Sequence, residues 1–302
     1  VATIVITEFM DPDSVKVLSG FHDVVVDTEL ATEPGRIGSH NPDALIVRNV
    51  TPVTAELISG LPKLRVVGRL GVGLDNIDTD ACASRGVTVH TAAGANAIAV
   101  AEHVIGGLLV LARPALRSSQ RILEGEWPRT ELVGTELSGK RLGLVGLGAT
   151  AREVASRALA IGMSVTAYDP FVTSPPTDIT MASLDDLFPS VDMVSVHVPL
   201  TPETEALIDE SRISNLSRGA FLVDTSRGGV VDHVAVIKSL RSGHLGGAAL
   251  DVFEQEPPHD ITMYRNVPNL VLTPHVGGVT AESNQRVSAV VASAVLSELS
   301  NS

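Results

Sequence analysis

The sequence predicts an α/β protein with two doubly wound parallel-sheet domains, and three observations carry that prediction. Short apolar runs alternate with helical patterns nearly throughout, which is the signature of parallel strands joined by crossover helices. Aromatics make up only 3% of the chain while hydrophobic residues reach 44%. The interior must therefore be Val, Leu, Ile and Ala, as in sheets covered by helices on both faces. The runs also fall into two series separated by one long helical segment, and 302 residues are better divided into two domains than packed as one.

The first series places strands at 4–7, 24–27, 44–48, 65–68 and 87–90. The second places them at 142–145, 164–168, 193–197, 220–224, 247–250 and 270–273. Between them lies "ANAIAVAEHVIGGLLVLAR" (95–113), apolar nearly all round, so both its sides should be covered. Glu102 and His103 interrupt it, and it reads as a buried helix rather than a membrane span. A second helix and the loop "GEWPRTELVGTEL" (125–137) follow, with the only tryptophan. A loop this long is more often functional or an interface element than idle. The final helical pattern, 281–299, is expected to pack back on the first domain. The expected domains are 1–94 with 278–302, and 95–277.

Composition excludes several classes. With a net charge of −13 there is no basic stripe to neutralise phosphates, so nucleic acid is not an expected partner. A single cysteine, Cys82, rules out an intrachain disulfide and a multi-thiolate metal site. No metal is expected, and a reducing cytoplasm fits. Val1 leads straight into the strand-like "TIVIT", so no signal peptide is expected.

"RLGLVGLGATAREVA" (141–155) reads as a strand, then Gly146-Leu147-Gly148-Ala149-Thr150-Ala151, then a helix. The first glycine permits a tight turn and the second lets a pyrophosphate approach the backbone. Ala151 meets the need for a small residue where helix and strand pack. The helix N-terminus favours negative charge. Asp169 ends the next strand, about where a ribose-binding carboxylate belongs, and would repel a 2′-phosphate. A Rossmann domain that binds NAD rather than NADP is the reading.

Three later strand ends carry chemistry. "FLVDTSRGGVVD" (221–232) delivers Arg227, "ALDVFEQEPP" (249–258) delivers acids, and "VLTPHVGG" (271–278) delivers His275. Ligands of such folds bind at the carboxyl ends of strands. An arginine clamps a carboxylate bidentately, an imidazole moves a proton, and a carboxylate behind it fixes the tautomer. With NAD these are the needs of hydride transfer at a 2-hydroxy acid. Singly, each has a plainer reading: a loop histidine, solvated acids, a charge flanking a helix.

The segments "RLGVGLDNID", "GLVGLGATA", "DTSRGGVVD", "ALDVFEQEPP" and "TPHVGG" run in order over nearly the whole chain. They resemble those of the NAD-dependent D-isomer-specific 2-hydroxyacid dehydrogenases. The resemblance implies a Rossmann domain beside a flavodoxin-like substrate domain, with closure between them excluding water. It implies Arg227 as substrate clamp, Glu256 as the acid partner and His275 as proton donor and acceptor. It implies that Asp251 contacts the nicotinamide carboxamide, and that Val72, Gly146, Gly148, Ala149, Thr150, His197, Val198, Pro199, Thr225, Ser226, Gly277 and Gly278 line the cofactor. One departure stands out: the family usually has Arg-Ile where this chain has Ala149-Thr150, so one pyrophosphate contact is missing.

"GRLGVGLDN" (68–76) reads as an anion nest, in which the family holds the substrate carboxylate on Gly71, Val72 and Gly73. Arg48, Arg69 and Arg129 match positions where the 3-phosphoglycerate dehydrogenase branch places arginines around the substrate phosphate, the third from a neighbouring subunit. "GEWPR", "YDPFV" and "VTAESNQRVS" also look like sulfolactate dehydrogenases of this family. The expected substrate is a 2-hydroxy acid with a 3-phosphate or 3-sulfonate, which an arginine cluster suits. The chain reaches Ser302 without the regulatory domain that phosphoglycerate enzymes often append, so serine feedback is not expected. A homodimer through 95–137 is expected, and no membrane partner. Glycerate or hydroxypyruvate-glyoxylate reduction is the alternative, as is a non-enzymatic, NAD-sensing corepressor-like role. Formate dehydrogenases pair the histidine with glutamine, so Glu256 argues against that reading.

Overall fold

Runs of β-branched and aliphatic residues too short for helices become the strands of two parallel sheets. The computed structural model describes residues 1–300. It divides into two compact units: Val1–Asn96 together with the segment that begins at Val279, and Ala97–Gly278.

In the first unit β1 (Thr3–Ile6), β2 (Asp23–Val26), β3 (Ala44–Val47), β4 (Val66–Arg69) and β5 (Thr88–Thr91) pair in the order β2-β1-β3-β4-β5, all parallel. Successive side chains point to opposite faces. Ile4, Ile6, Ile46 and Val66 therefore meet Val287, Val291 and Val295 of the C-terminal helix Ala281–Ser300. Val5, Leu45, Val47 and Val67 pack on the other side with Leu30, Ile37, Ile58 and Cys82. A Cβ on Gly68 would stand 2.6 Å from Val291, so glycine is what lets that helix seat on β4.

The second unit holds β6 (Arg141–Val145), β7 (Ser164–Tyr168), β8 (Ile179–Met181), β9 (Met193–Val196), β10 (Ala220–Asp224), β11 (Leu245–Leu250) and β12 (Leu270–Leu272). Their order is β12-β11-β10-β9-β6-β7-β8, so the direction of winding reverses beside β6. That is the switch point at which doubly wound sheets bind ligands. We label the helices used below α1 (Ala97–Ala112), α2 (Ala149–Ala160), α3 (His233–Arg241) and α4 (Ala281–Ser300). α1 and α2 cover one face through Ala101, Val104, Leu108, Ala151 and Val154. α3 covers the other through Ala235, Val236 and Leu240.

Two expectations need correction. β8 has no counterpart among the expected strands, because its three residues follow the polar, proline-containing stretch "TSPPTD" and carry no readable period. α1 is not covered all round: Ile98 is 40% and Leu109 41% exposed, on a stripe with exposed Glu102. Helical spacing puts 98, 102, 105 and 109 along one stripe, turned away from the core-facing Ala101, Val104, Leu108 and Leu111, with Ile105 at its edge still packed on the core. Among the described residues no helix is long and apolar enough to cross a membrane.

Candidate active site

The glycine turn after β6 is built by crowding on one side and space on the other. Gly146 has φ +92°, and a Cβ there would lie 2.8 Å from the His197 carbonyl oxygen. Only glycine takes that conformation without strain. At Gly148, which caps α2, a Cβ would meet nothing within 4 Å. The space in front of the helix N-terminus is therefore open, and the first-turn amides of α2 have no intrahelical acceptor. Asp169, just past β7, accepts from the Leu147 N–H at 2.8 Å and the Phe171 N–H at 2.9 Å, which fixes its carboxylate over the turn. Ala149 is exposed and Thr150 half-buried beside this space. A crowded first glycine, an open second one and a held carboxylate fit a dinucleotide.

The neighbouring strand ends complete the wall. His197, just past β9, is tied through Nε2 to the Ser195 hydroxyl at 2.9 Å, and burial pushes its imidazole down to about 4, so the ring is neutral. Val198 is half-buried and Pro199 exposed beyond it. At the end of β10, Asp224 Oδ1 accepts from the Ser226 N–H at 2.9 Å and hydroxyl at 2.6 Å. Its Oδ2 is buried without a partner, as is the Thr225 hydroxyl. Burial pushes the Asp224 carboxyl up to about 6 against those hydrogen bonds. Asp251, after β11, is buried, and gathers the Thr273 hydroxyl at 2.5 Å, the Val276 N–H at 2.9 Å and the Gly277 N–H at 2.8 Å. It thereby pins the loop that carries His275. Gly278 is half-buried at that loop's end.

His275 has φ +54°, a left-handed conformation uncommon for a residue with a side chain. Its N–H donates to the Asp251 carbonyl at 2.8 Å. The strained backbone turns the ring toward Glu256, whose Oε2 lies 2.6 Å from Nδ1. Glu256 Oε1 in turn accepts from the Phe253 N–H at 3.0 Å. Nδ1–H therefore donates to the carboxylate, and Nε2 is left as the nitrogen that can exchange a proton with a ligand. Arg227 is half-buried three residues past β10 and donates to the Ser226 carbonyl at 2.7 Å. Glu254 is exposed, with no part in the histidine's bond.

In the first unit, Val47 and Arg69 are register partners on β3 and β4, so Arg48 and Arg69 stand at adjacent strand ends. Arg69 is buried, and its guanidinium occupies the place a Cβ on Gly71 would take. Val72 is exposed and Gly73 half-buried. Arg48 Nη2 donates to Asn284 Oδ1 of α4 at 2.9 Å. Burial lowers its guanidinium from the ordinary range, with Glu8 acting the other way. Arg129 lies exposed in the loop after α1 in the second unit.

Sequence reasoning missed the residues that hold these groups. Glu8, buried after β1, accepts from the N–H groups of Arg48, Asn49, Val50 and Thr51 and from the Thr51 hydroxyl. Those bonds outweigh burial, which alone would raise its carboxyl, and hold it below the ordinary range. An acid ending an otherwise apolar strand was the available signal. Asn284, Thr273 and His233 had none, because their partners lie far away in sequence.

Known proteins resemble the chain over nearly its whole length. Residues 105–277 match the family model described as D-isomer specific 2-hydroxyacid dehydrogenase, NAD binding domain. The chain is 46% identical over 293 residues to the (S)-sulfolactate dehydrogenase of Chromohalobacter salexigens, covering 94% of each. It is 41% identical to the D-3-phosphoglycerate dehydrogenase of Bacillus subtilis over 85% of this chain, and spans about half (49%) of that longer protein. A Thermus thermophilus protein of known crystal structure superposes with a TM-score of 0.91 at 32% identity, covering 99% of this chain and 97% of its own. The chain therefore belongs to the D-isomer specific 2-hydroxyacid dehydrogenase family, NAD-dependent oxidoreductases of 2-hydroxy acids.

Proposed function

We propose that the substrate is a 2-hydroxy acid, or its 2-oxo form, bearing a second strong anion at C3, with sulfonate ahead of phosphate. Arg48 carries this reading. It is a half-buried guanidinium with no carboxylate in ion-pair contact among the described residues, held instead by the neutral Asn284. The nearby Glu8 carboxylate acts on it electrostatically but spends its hydrogen bonds on backbone N–H groups and the Thr51 hydroxyl. Guanidinium donors therefore remain for phosphate or sulfonate, which suit their planar arrangement. Sulfonate ranks first because the sulfolactate dehydrogenase is matched over 94% of both chains.

Bound NAD supplies the hydride acceptor and, when reduced, the donor. The turn at Gly146 and Gly148, the amides of Ala149 and Thr150, and Asp169 would hold its diphosphate and ribose. Val72, His197, Val198, Pro199, Thr225, Ser226, Asp251, Gly277 and Gly278 would line the remainder. Arg227 clamps the substrate carboxylate and the oxygen on C2. His275 Nε2 gives a proton to that oxygen in reduction and takes it in oxidation, while Glu256 holds the ring. Gly71, Val72 and Gly73 offer N–H groups to the carboxylate, and Arg48, Arg69 and a partner copy's Arg129 take the second anion. The homodimer is part of the same proposal. A cytoplasmic setting suits a chain whose one cysteine, Cys82, is buried.

The test is NADH oxidation by the pure protein with sulfopyruvate, phosphohydroxypyruvate, hydroxypyruvate, pyruvate and glyoxylate. A kcat/KM for sulfopyruvate or phosphohydroxypyruvate at least about tenfold above the uncharged-side-chain acids is expected. Preference for hydroxypyruvate or glyoxylate would remove the arginines from substrate recognition. No turnover with NADH still bound would favour a sensing role.

A further inference from the structure

Behind Glu256 three rings meet. His233 opens α3 and is 5% exposed, with Nδ1 2.8 Å from the Tyr264 hydroxyl oxygen. The rings of His233, Phe253 and Tyr264 stand edge to face in a closed triangle. Their centroids are 6.0 Å apart for His233–Phe253, 5.9 Å for His233–Tyr264 and 5.7 Å for Phe253–Tyr264. Such edge-on contacts favour one orientation of each ring over others.

Phe253 joins this triangle to the site. Its N–H donates to Glu256 Oε1 at 3.0 Å, and Glu256 Oε2 holds His275 Nδ1 at 2.6 Å. On its other side the Phe253 carbonyl is packed against Gly228 so closely that a Cβ there would overlap it. The backbone carrying the N–H is thus confined between the three rings and the residue after Arg227.

We propose that His233, acting through Tyr264 and Phe253, is a positioning residue for the Glu256–His275 pair. The inference rests on the reading that His275 moves the proton. Plain packing accounts poorly for an imidazole here. Its Nε2 is buried without a partner, a cost that a phenyl ring of similar size would avoid. What the imidazole adds is the bond that fixes Tyr264. Burial pushes His233 down to about 4, with Asp232 opposing, so the ring is neutral in neutral solution. Glu254 is the charge that acts on Tyr264.

The experiment uses the full chain with NADH and its best 2-oxo acid. His233→Phe keeps the volume and deletes the bond, His233→Asn keeps a polar atom near the place of Nδ1, and Tyr264→Phe deletes only the hydroxyl. Glu256→Gln and the double variant with His233→Phe close a cycle. His233→Phe should lower kcat about fivefold to tenfold, with KM and the NADH dissociation constant within about twofold. His233→Asn should recover most of the loss, and in the Glu256→Gln background His233→Phe should add little. Should His233→Phe fail to fold, Tyr264→Phe must show the same loss confined to kcat.

The proposal is overturned if kcat stays within about twofold while Glu256→Gln lowers it, or if the two losses simply multiply. It is also overturned if kcat and NADH affinity fall and KM rises together with a loss of thermal stability. If Glu256→Gln itself leaves kcat intact, the underlying reading of the histidine fails instead.

Discussion

Glu256 bridges His275 and Phe253: one carboxylate oxygen lies 2.6 Å from the imidazole Nδ1 and the other 3.0 Å from a backbone N–H. A carboxylate held at both ends keeps the ring in one tautomer and one orientation, which a proton-transfer group requires. His275→Ala should therefore lower kcat by at least about 100-fold, the usual contribution of a positioned acid–base group. NADH affinity, read from protein fluorescence, should change little. Turnover close to that of the unaltered chain would remove His275 from the chemistry.

The Arg48 side chain is hydrogen-bonded to Asn284, and the Glu8 carboxylate that acts on its charge is spent on backbone N–H groups, so guanidinium donors remain for a ligand. Arg48→Ala should raise KM for sulfopyruvate or phosphohydroxypyruvate about 10-fold to 100-fold, the range of a charge-assisted hydrogen bond. Glyoxylate, which has no second anion, should be affected much less. Asn284→Ala should act in the same direction more weakly. Equal losses for both substrate classes would place Arg48 outside recognition of the second anion.

Apolar residues stand open along α1 and after it: Leu123 is 82%, Trp127 80% and Val133 78% exposed. Exposed apolar groups of this size are what an interface would cover. Sedimentation should give twice the chain mass, and Trp127→Asp should weaken the dimer. A monomer at micromolar concentration would sink the homodimer and, with it, the partner's Arg129 in the substrate site.

Acid should weaken the second unit in a defined window. Burial pushes His197 and His233 from 6.5 down to about 4, so the unfolded chain takes up protons that the folded chain refuses. Their contribution is whole above pH 6.5 and is lost as pH falls from 6.5 toward 4. For His233 the loss is on the order of 3 kcal/mol. Asp224, raised from 3.8 to about 6, works the other way: its cost grows as pH rises from 3.8 to 6. Urea unfolding at several pH values should show a shallower acid slope for His233→Phe than for the unaltered chain. An unchanged slope would mean that His233 titrates alike in both states.

The chain's own order of residues determined the two parallel sheets, the glycine turn and Arg227 and His275 as candidates, while the choice of Glu256 over Glu254 came from the family resemblance. Those features are local: an apolar run makes a buried strand, a glycine makes a tight turn, and a polar residue just past a strand comes to its carboxyl end. β8 escaped because three residues carry too little period to read. The open stripe of α1 escaped because composition reports how apolar a helix is, and only packing decides which side finds a partner. Tertiary structure alone paired Arg48 with Asn284, gathered four N–H groups on Glu8, and set three rings behind Glu256. Arg48 and Asn284 lie 236 residues apart, and His233 and Tyr264 31 apart, beyond the reach of any local pattern. Hydrogen bonds and ring contacts act over a few ångströms in space, so such pairs exist only once the fold has brought their elements together.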